Sequence, residues 1–409
     1  MISKTTKYLE KTVQILFFLW AVIIPFSTAG MQIFLGLLIL SGILYYGFER
    51  KLPLKYHTYY LFILAYCFSH LITAIVSDNF MKSISASFSN DWTLLTIPFL
   101  ISLPVQPEWR KKAFIGLLVS ASIVAIIGII QSITGVDFIK GHALTPQSNY
   151  YRAIGTYSSF LTFAGNELFA FSISLAFISY YKSIKGWKFV IAFISLIILF
   201  GIISSFSRNS WIASIFVIIL STLILYPKKI LHVLSTLIAI AVSIFLFFPN
   251  LLERFISIFD LTQNEGRLTL WATSVKIIQD FPLFGIGSGN FPDYFFKYKV
   301  PGYYDAFSHA HNDFINITVL NGFFGLITWS LLWAALFYFI IKAVRNFSFI
   351  ELDKQILYAA IIGISGILVA AMFQCFYTDL ENNIFWWFLA TTALQIIVQK
   401  KESFYKINS

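Results

Sequence analysis

Long apolar runs separated by short polar connections make up most of this chain. Runs of this length, folded as helices, cross the roughly 30 Å hydrocarbon core of a membrane. The run 91–105 is shorter and carries Pro98 and Pro104, so we expect a broken or tilted helix there. The predicted spans are 12–29, 31–48, 57–76, 91–105, 113–133, 153–180, 189–206, 210–226, 230–249, 312–341, 355–378 and 384–399. This pattern predicts an all-α integral membrane protein with about 12 transmembrane helices.

Composition and charge distribution agree with a membrane location. The 409 residues are 58% hydrophobic and only 12% charged, which excludes an ordinary soluble domain. A net charge of +10 could indicate nucleic-acid binding, but the cations lie in short clusters between apolar runs, which argues against nucleic acid. Twenty of the 29 Lys and Arg fall in one set of loops, together with both chain ends. The positive-inside rule therefore predicts cytoplasmic termini.

Two connections on the opposite, outer side are long, 134–152 and 250–310, and they carry most of the remaining cations. Within the second, an apolar stripe at helical spacing is formed by Leu268, Trp271, Val275 and Ile278. Such spacing predicts an amphipathic helix that lies over the outer mouth of the bundle. We therefore expect a single polytopic membrane domain over 1–409, with 250–310 as one large external loop within it.

A polar cluster stands where the apolar run 312–341 begins. His309, His311, Asn312 and Asp313 crowd into five residues at a predicted membrane–water boundary. Imidazole titrates near neutral pH, so His311 is a candidate general base, with His309 and Asn312 as supporting residues. A polar residue satisfied by structural hydrogen bonds is the alternative interpretation.

The same run carries two glycines in line with the candidate base. If the run were one regular helix, Gly322 and Gly325 would lie within about 40° of His311 around the helix axis. Small residues in membrane helices allow close approach of a neighbour, so this stripe is expected to contact another helix.

Three arginines, Arg152, Arg208 and Arg267, lie at outer boundaries of predicted spans. Guanidinium groups are permanently charged and suited to phosphate oxygens, so these residues are candidate pyrophosphate ligands. Anchoring to lipid headgroups is the alternative for any one of them. Glu167 lies inside a predicted span and is a further functional candidate. A structural hydrogen bond explains it equally well.

A glycine-rich segment and the absence of metal motifs limit the possible chemistry. Gly285-Ile-Gly287-Ser-Gly289 resembles a phosphate loop, but a chain without βαβ units cannot use it as one, and it predicts a tight turn. No His, Cys or Asp pattern with metal-ligand spacing occurs on the outer face. We therefore expect neither a metal nor another cofactor.

The histidine segment resembles a known family. His311-Asn312, followed by nine residues and then Gly322-Phe-Phe-Gly325, is similar to the pattern His-(Asn/Ser/Gln)-x9-Gly-x-x-(Gly/Thr/Tyr) of the bacterial O-antigen ligases. Ser205-Phe-Ser207-Arg208 resembles the Ser-x-Ser-Arg signature that ligases share with O-antigen polymerases. The segments beginning at Arg152 and at Gly266-Arg267 also resemble arginine motifs of this superfamily. With the spans and the long loop, the similarity covers nearly the whole chain.

The resemblance implies a GT-C-like glycosyltransferase of the bacterial inner membrane, acting on the periplasmic face. It would move an O-antigen-type glycan from undecaprenyl pyrophosphate to lipid A–core, without metal and with inversion at the anomeric carbon. His311 would be the base, and Arg208, Arg267 and Arg152 would bind the pyrophosphate.

Three alternatives remain open on the sequence. An O-antigen polymerase would use the same donor but a lipid-linked chain as acceptor. Related ligases glycosylate proteins or other surface polymers. A transporter of lipid-linked sugars belongs to a different class, but it is expected to show repeats or paired broken helices, and the sequence shows no repeat.

Overall fold

The computed structural model of the protein describes residues 4–52, 54–147, 150–247, 249–257, 260, 264–304 and 308–408. Within these residues the α-helices are α1 (Lys4–Ile23), α2 (Thr28–Phe48), α3 (Tyr59–Val76), α4 (Phe80–Asp91), α5 (Ile97–Ser102), α6 (Pro107–Thr134), α7 (Phe160–Tyr180), α8 (Lys185–Ser204), α9 (Arg208–Leu225), α10 (Ile230–Phe247), α11 (Pro249–Ile256), α12 (Glu265–Asp280), α13 (Phe291–Tyr298), α14 (Asp313–Asn346), α15 (Glu351–Ala370) and α16 (Leu380–Asn408). The all-α fold class is confirmed.

Among the described helices, eight are long and apolar enough to cross a membrane: α2, α3, α6, α7, α8, α9, α14 and α15. Each overlaps one of the predicted spans, with different bounds. Three other predicted spans, 12–29, 230–249 and 384–399, fall mainly within α1, α10 and α16, which are helical but are not among these eight helices. The chain is a multi-pass α-helical membrane protein.

The segment 91–105 is not a single spanning helix. It forms a 3₁₀-helix, Trp92–Thr96, followed by the short α5, which has Pro98 in its first turn and ends before Pro104. Proline fits a first helical turn and favours an extended conformation in the residue before it, as at Leu103 before Pro104, with φ −58° and ψ 141°. Leu94, Ile97 and Leu100 are buried. The broken segment thus packs inside the protein, against α2 and α16.

The centre of the bundle is α7, which is buried on almost all sides and packs against α8, α9 and α15. At one end of the bundle, the Arg110 guanidinium of α6 donates to both carboxylate oxygens of Asp353 in α15, at 3.1 and 3.0 Å. It also donates to Gln399 of α16 at 2.7 Å. Bidentate pairing of a buried arginine fixes these three helices relative to one another.

The predicted stripe from His311 to Gly325 is wrong, because α14 is not one regular helix. Gly322 has φ 64° and ψ −173°, which breaks the helix there. The chain that follows α12 enters the break: Phe323 and Phe324 N–H donate to the carbonyls of Pro282 and Leu283 at 2.8 and 3.2 Å. A Cβ at Gly322 would lie 2.2 Å from the Leu283 carbonyl oxygen. The glycine therefore admits a loop backbone, not a neighbouring helix.

Carbonyl groups on the other side of the break are also satisfied by this loop. Val319 and Leu320 accept hydrogen bonds from Ile286 and Gly287 N–H at 3.0 and 2.9 Å. Gly285, Gly287 and Gly289 all have positive φ, so the glycine-rich segment is a tight turn as predicted. Backbone N–H and C=O groups inside a membrane protein must be hydrogen-bonded. The bonds between this loop and α14 supply partners for the groups that the break leaves without helical partners.

The segment 250–310 contains α12 as predicted, but the packed face of this helix is not the predicted stripe. The buried residues are Gly266, Leu270, Thr273, Ser274 and Ile277. Leu268 and Val275 of the predicted stripe are exposed. The small side chains on the buried face allow α12 to pack close to α14, whereas Leu268 and Val275 lie on the exposed face of α12. Hydrophobicity alone therefore does not identify the packed face next to a membrane.

The connection 134–152 forms two small antiparallel ribbons, β1 (Val136–Asp137) with β2 (His142–Ala143) and β3 (Pro146–Gln147) with β4 (Tyr150–Tyr151). Gln131 at the end of α6 holds this connection, because its amide nitrogen donates to Asp137 at 3.2 Å and to the Gly155 carbonyl at 2.8 Å. The arrangement fixes the backbone on both sides of Arg152.

Candidate functional site

Arg208 begins α9, directly after the polar turn 204–207 that separates it from α8. Its Nη1 donates to the Ser257 carbonyl at 2.5 Å, and its Nη2 donates to Asn264 Oδ1 at 2.8 Å. Both partners belong to the segment 250–310. Arg208 thus connects the spanning bundle to the chain that enters α12.

Arg267 and Arg152 both lie within electrostatic range of Arg208. The positive charges of Arg267 and Arg152 both repel the guanidinium of Arg208, and the negative charge of Asp260 partly compensates for this repulsion. The guanidinium of Arg152 lies over the Phe160 ring, 4.4 Å from its centroid, and among the described residues its buried Nε has no hydrogen-bond partner. Neither Arg152 nor Arg208 forms an ion pair with a carboxylate within 4.0 Å among the described residues. A site of this kind favours an anionic ligand.

A cavity of about 180 Å³ opens between α9 and α12. Four polar residues and four apolar residues line it: Arg208, Asn209, Asn264 and Arg267, and Ile212, Leu268, Trp271 and Phe373. Cationic and amide donors on one part of the wall, beside an aromatic and aliphatic part, suit a ligand with a charged head and an apolar portion.

The histidine segment is a turn fixed to the connection between α15 and α16. His311 has φ 48°, in the left-handed region, and Asn312 caps α14 by accepting from Ile315 N–H at 3.1 Å. Asn312 Nδ2 also donates to the Met372 carbonyl at 2.7 Å. The Asp313 carboxylate accepts two backbone N–H groups, those of Phe376 and Tyr377, at 2.9 Å each.

Gln374 is the residue of that connection that reaches the candidate base. Its Oε1 lies 2.6 Å from His311 Nδ1. The predicted span 355–378 is too long, because α15 ends at Ala370 and the following residues form a non-helical connection. This is why Gln374 was missed: its only signal in the sequence is a polar residue near the end of an apolar run.

His309 lies against His311, with ring centroids 4.3 Å apart and nearly perpendicular planes. Its Nδ1 accepts a hydrogen bond from His311 N–H at 3.3 Å. Burial, with a further contribution from His311, lowers the pKa of His309 from 6.5 to about 4. His309 is therefore neutral near pH 7, consistent with a supporting role.

Trp271 and Phe373 connect the arginine cavity to the histidine turn. The Trp271 indole N–H donates to the carbonyl of Ala310, next to His311, at 2.9 Å. Phe373 precedes Gln374, and its ring lies 6.4 Å from that of Trp271. Since both aromatic residues line the cavity, the histidine turn adjoins the same space as Arg208 and Arg267.

Glu167, Gly322 and Gly325 are not among the residues that line this cavity. Glu167 is buried in α7, and one oxygen of its carboxyl group has no hydrogen-bond partner within the part of the chain that the structure describes. Tyr157 lies within electrostatic range of Glu167, Asp379 and Glu381. Gly325 lies one turn beyond the break in α14. Within the described residues, no three His, Cys, Asp or Glu are grouped as metal ligands.

Part of the chain is similar to a known protein family. Residues 193–330, about a third of the chain, match the family model Wzy_C, described as O-antigen ligase. The matched segment contains Arg208, Arg267, His311 and Gly322. A search of curated proteins gives no match. Through this segment the chain is similar to the O-antigen ligase family, which supports a membrane enzyme of the O-antigen ligase/polymerase type.

Proposed function

We propose that the protein is a glycosyltransferase that moves an O-antigen-type glycan from undecaprenyl pyrophosphate to lipid A–core on the periplasmic face of the bacterial inner membrane. One observation carries the proposal: Trp271 and Phe373 join a cavity with two arginines to the turn of His311. A lipid-linked donor has a pyrophosphate head and an apolar tail, which are the two chemistries of that cavity wall.

The reaction follows from these positions. The acceptor hydroxyl oxygen attacks the anomeric carbon, the bond from that carbon to the pyrophosphate oxygen breaks, and undecaprenyl pyrophosphate leaves with the electron pair. Attack from the face opposite the leaving group inverts the configuration. Arg208 and Arg267 stabilise the charge that develops on the pyrophosphate, and Arg152 adds to the positive field. His311 takes the proton of the acceptor hydroxyl.

The test uses purified full-length protein in liposomes with undecaprenyl-pyrophosphate-linked glycan and a metal chelator, with and without lipid A–core. We expect a shift of lipid A–core on a gel that is lost in His311→Ala. A glycan ladder that grows without lipid A–core would instead indicate a polymerase. Absence of product in both reactions would contradict the proposal and favour transport of lipid-linked sugars.

Arg208→Lys tests the electrostatic part of the site. Lysine keeps the charge but loses the planar pair of donors, so we expect activity to fall by about 10²- to 10³-fold. The matched control is Arg345→Lys, because Arg345 is exposed and lies at the C-terminal end of α14, away from His311. Thermal unfolding of both variants identifies any loss caused by the missing contacts to Ser257 and Asn264.

A further inference from the structure

The connection between α15 and α16 is built around the histidine turn. Asp313 N–H donates to the Ala371 carbonyl at 2.9 Å, and Asn312 Nδ2 donates to that of Met372 at 2.7 Å. Farther along, the Asp313 carboxylate accepts Phe376 and Tyr377 N–H. The backbone on both sides of Gln374 is therefore held to the residues that follow His311.

The contact between Gln374 and His311 fixes which imidazole nitrogen carries the proton in the neutral ring. An amide oxygen has no hydrogen to donate, so at 2.6 Å His311 Nδ1 must be the donor. The lone pair of the neutral ring then lies on Nε2. A general base needs its lone pair on the nitrogen that meets the acceptor hydroxyl, and the partner of the other nitrogen decides this.

We infer that Gln374 is a positioning residue that holds His311 in the Nδ1–H tautomer and so presents Nε2 as the base. This inference rests on the proposed function, because it assumes that His311 takes the acceptor proton. Gln374 is nearly buried, at 9% exposure, and acts through the ring of His311. A neutral acceptor orients the imidazole without adding a second negative charge beside the anionic donor.

The charged and titratable groups around this ring come from three parts of the fold. His309 and Asp313 lie in the same segment as His311. Cys375 lies in the connection, next to Gln374, where burial raises its pKa well above the usual value. Arg267 of α12 acts electrostatically on Cys375. All of these remain in place when only Gln374 is changed.

Two variants separate positioning from structural support. In Gln374→Met the amide acceptor is lost while length is kept, and we expect kcat to fall about 10- to 100-fold with little change in KM for the donor. In Gln374→Glu a carboxylate still accepts from Nδ1 but stabilises the imidazolium. We expect that variant to approach wild-type rates at high pH, with the acid limb of its pH–rate profile moved to higher pH.

Gln395→Met is the matched control, because Gln395 is a buried glutamine of α16 that donates to the Leu100 carbonyl at 2.9 Å, away from the turn. Its loss changes packing but not the tautomer of His311, so its pH–rate profile should stay as in the wild type. Gln374→Met with wild-type kcat, or Gln374→Glu with an unmoved acid limb, would overturn the inference.

A measurement that does not depend on activity keeps the two proposals distinct. Carbethoxylation of the His311 peptide by diethyl pyrocarbonate, followed by mass spectrometry across pH, reports the neutral imidazole in each variant. We expect its midpoint to move to higher pH in Gln374→Glu, and an unmoved midpoint would contradict the positioning role. If His311→Ala keeps full activity while that midpoint still moves, the base role fails but the contact with Gln374 stands.

Discussion

His309 and His311 are two residues apart, yet their surroundings differ. His309 is held as a neutral ring by burial, and its Nδ1 accepts the N–H of His311. His311 donates from Nδ1 to Gln374. The left-handed φ of His311 turns the two rings against each other, so one histidine supports the backbone of the other.

The lowered pKa of His309 predicts that acid weakens the fold. Below pH 6.5, the ordinary pKa of histidine, His309 binds a proton in the unfolded chain. In the folded protein His309 does not accept this proton until about pH 4. Folding stability should therefore decrease as pH falls from 6.5 to about 4, by about 1–3 kcal/mol for this group. Unfolding midpoints in detergent measured across this pH range test the expectation.

His309→Asn should flatten that dependence, because asparagine keeps an acceptor for His311 N–H but does not titrate. The control is His142→Asn, since the His142 side chain is 54% exposed. An equal pH dependence in wild type and His309→Asn would contradict the prediction.

At the scale of elements, the break in α14 joins the spanning bundle to the segment that follows α12. Gly322 adopts a conformation that is essentially limited to glycine, and four backbone hydrogen bonds cross the break. The histidine turn lies at the N-terminal end of the same helix. The same glycine thus sets the direction of the N-terminal part of α14 relative to the rest of the helix.

Gly322→Ala should destabilise the protein by at least about 2 kcal/mol, because φ is unfavourable and the new Cβ meets the Leu283 carbonyl. We expect a lower thermal midpoint in detergent and loss of transferase activity. Gly36→Ala in α2 is the control, since a Cβ there meets no atom within 4 Å. Equal midpoints for the two variants would show that the break tolerates a side chain.

At the scale of the whole molecule, the orientation proposed from the cation distribution places both termini in the cytoplasm and 250–310 in the periplasm. Lys276 is exposed on α12, and Lys229 is exposed in the connection between α9 and α10. In a variant with both native cysteines replaced by alanine, Lys276→Cys should react with a membrane-impermeant maleimide in intact spheroplasts. Lys229→Cys should react only after permeabilisation, and the reverse pattern would overturn the orientation.

The sequence determined the class of the protein and indicated the residues of its candidate site. Apolar runs identify spanning helices because hydrocarbon requires locally apolar side chains and internally paired backbone. Polar residues at helix boundaries, such as Arg208 and His311, are conspicuous for the same reason. These are properties of short stretches of chain, so they can be predicted without knowing which helices are neighbours.

Tertiary structure decided how those residues meet. Gln374 lies 63 residues from His311, and Asn264 lies 56 residues from Arg208, so no periodicity relates either pair. The break at Gly322 depends on a loop that supplies replacement hydrogen bonds, and a glycine in a helical pattern does not reveal such a partner. Near a membrane, apolar residues face lipid as well as protein, which is why the packed face of α12 was set by its small residues and its contact with α14.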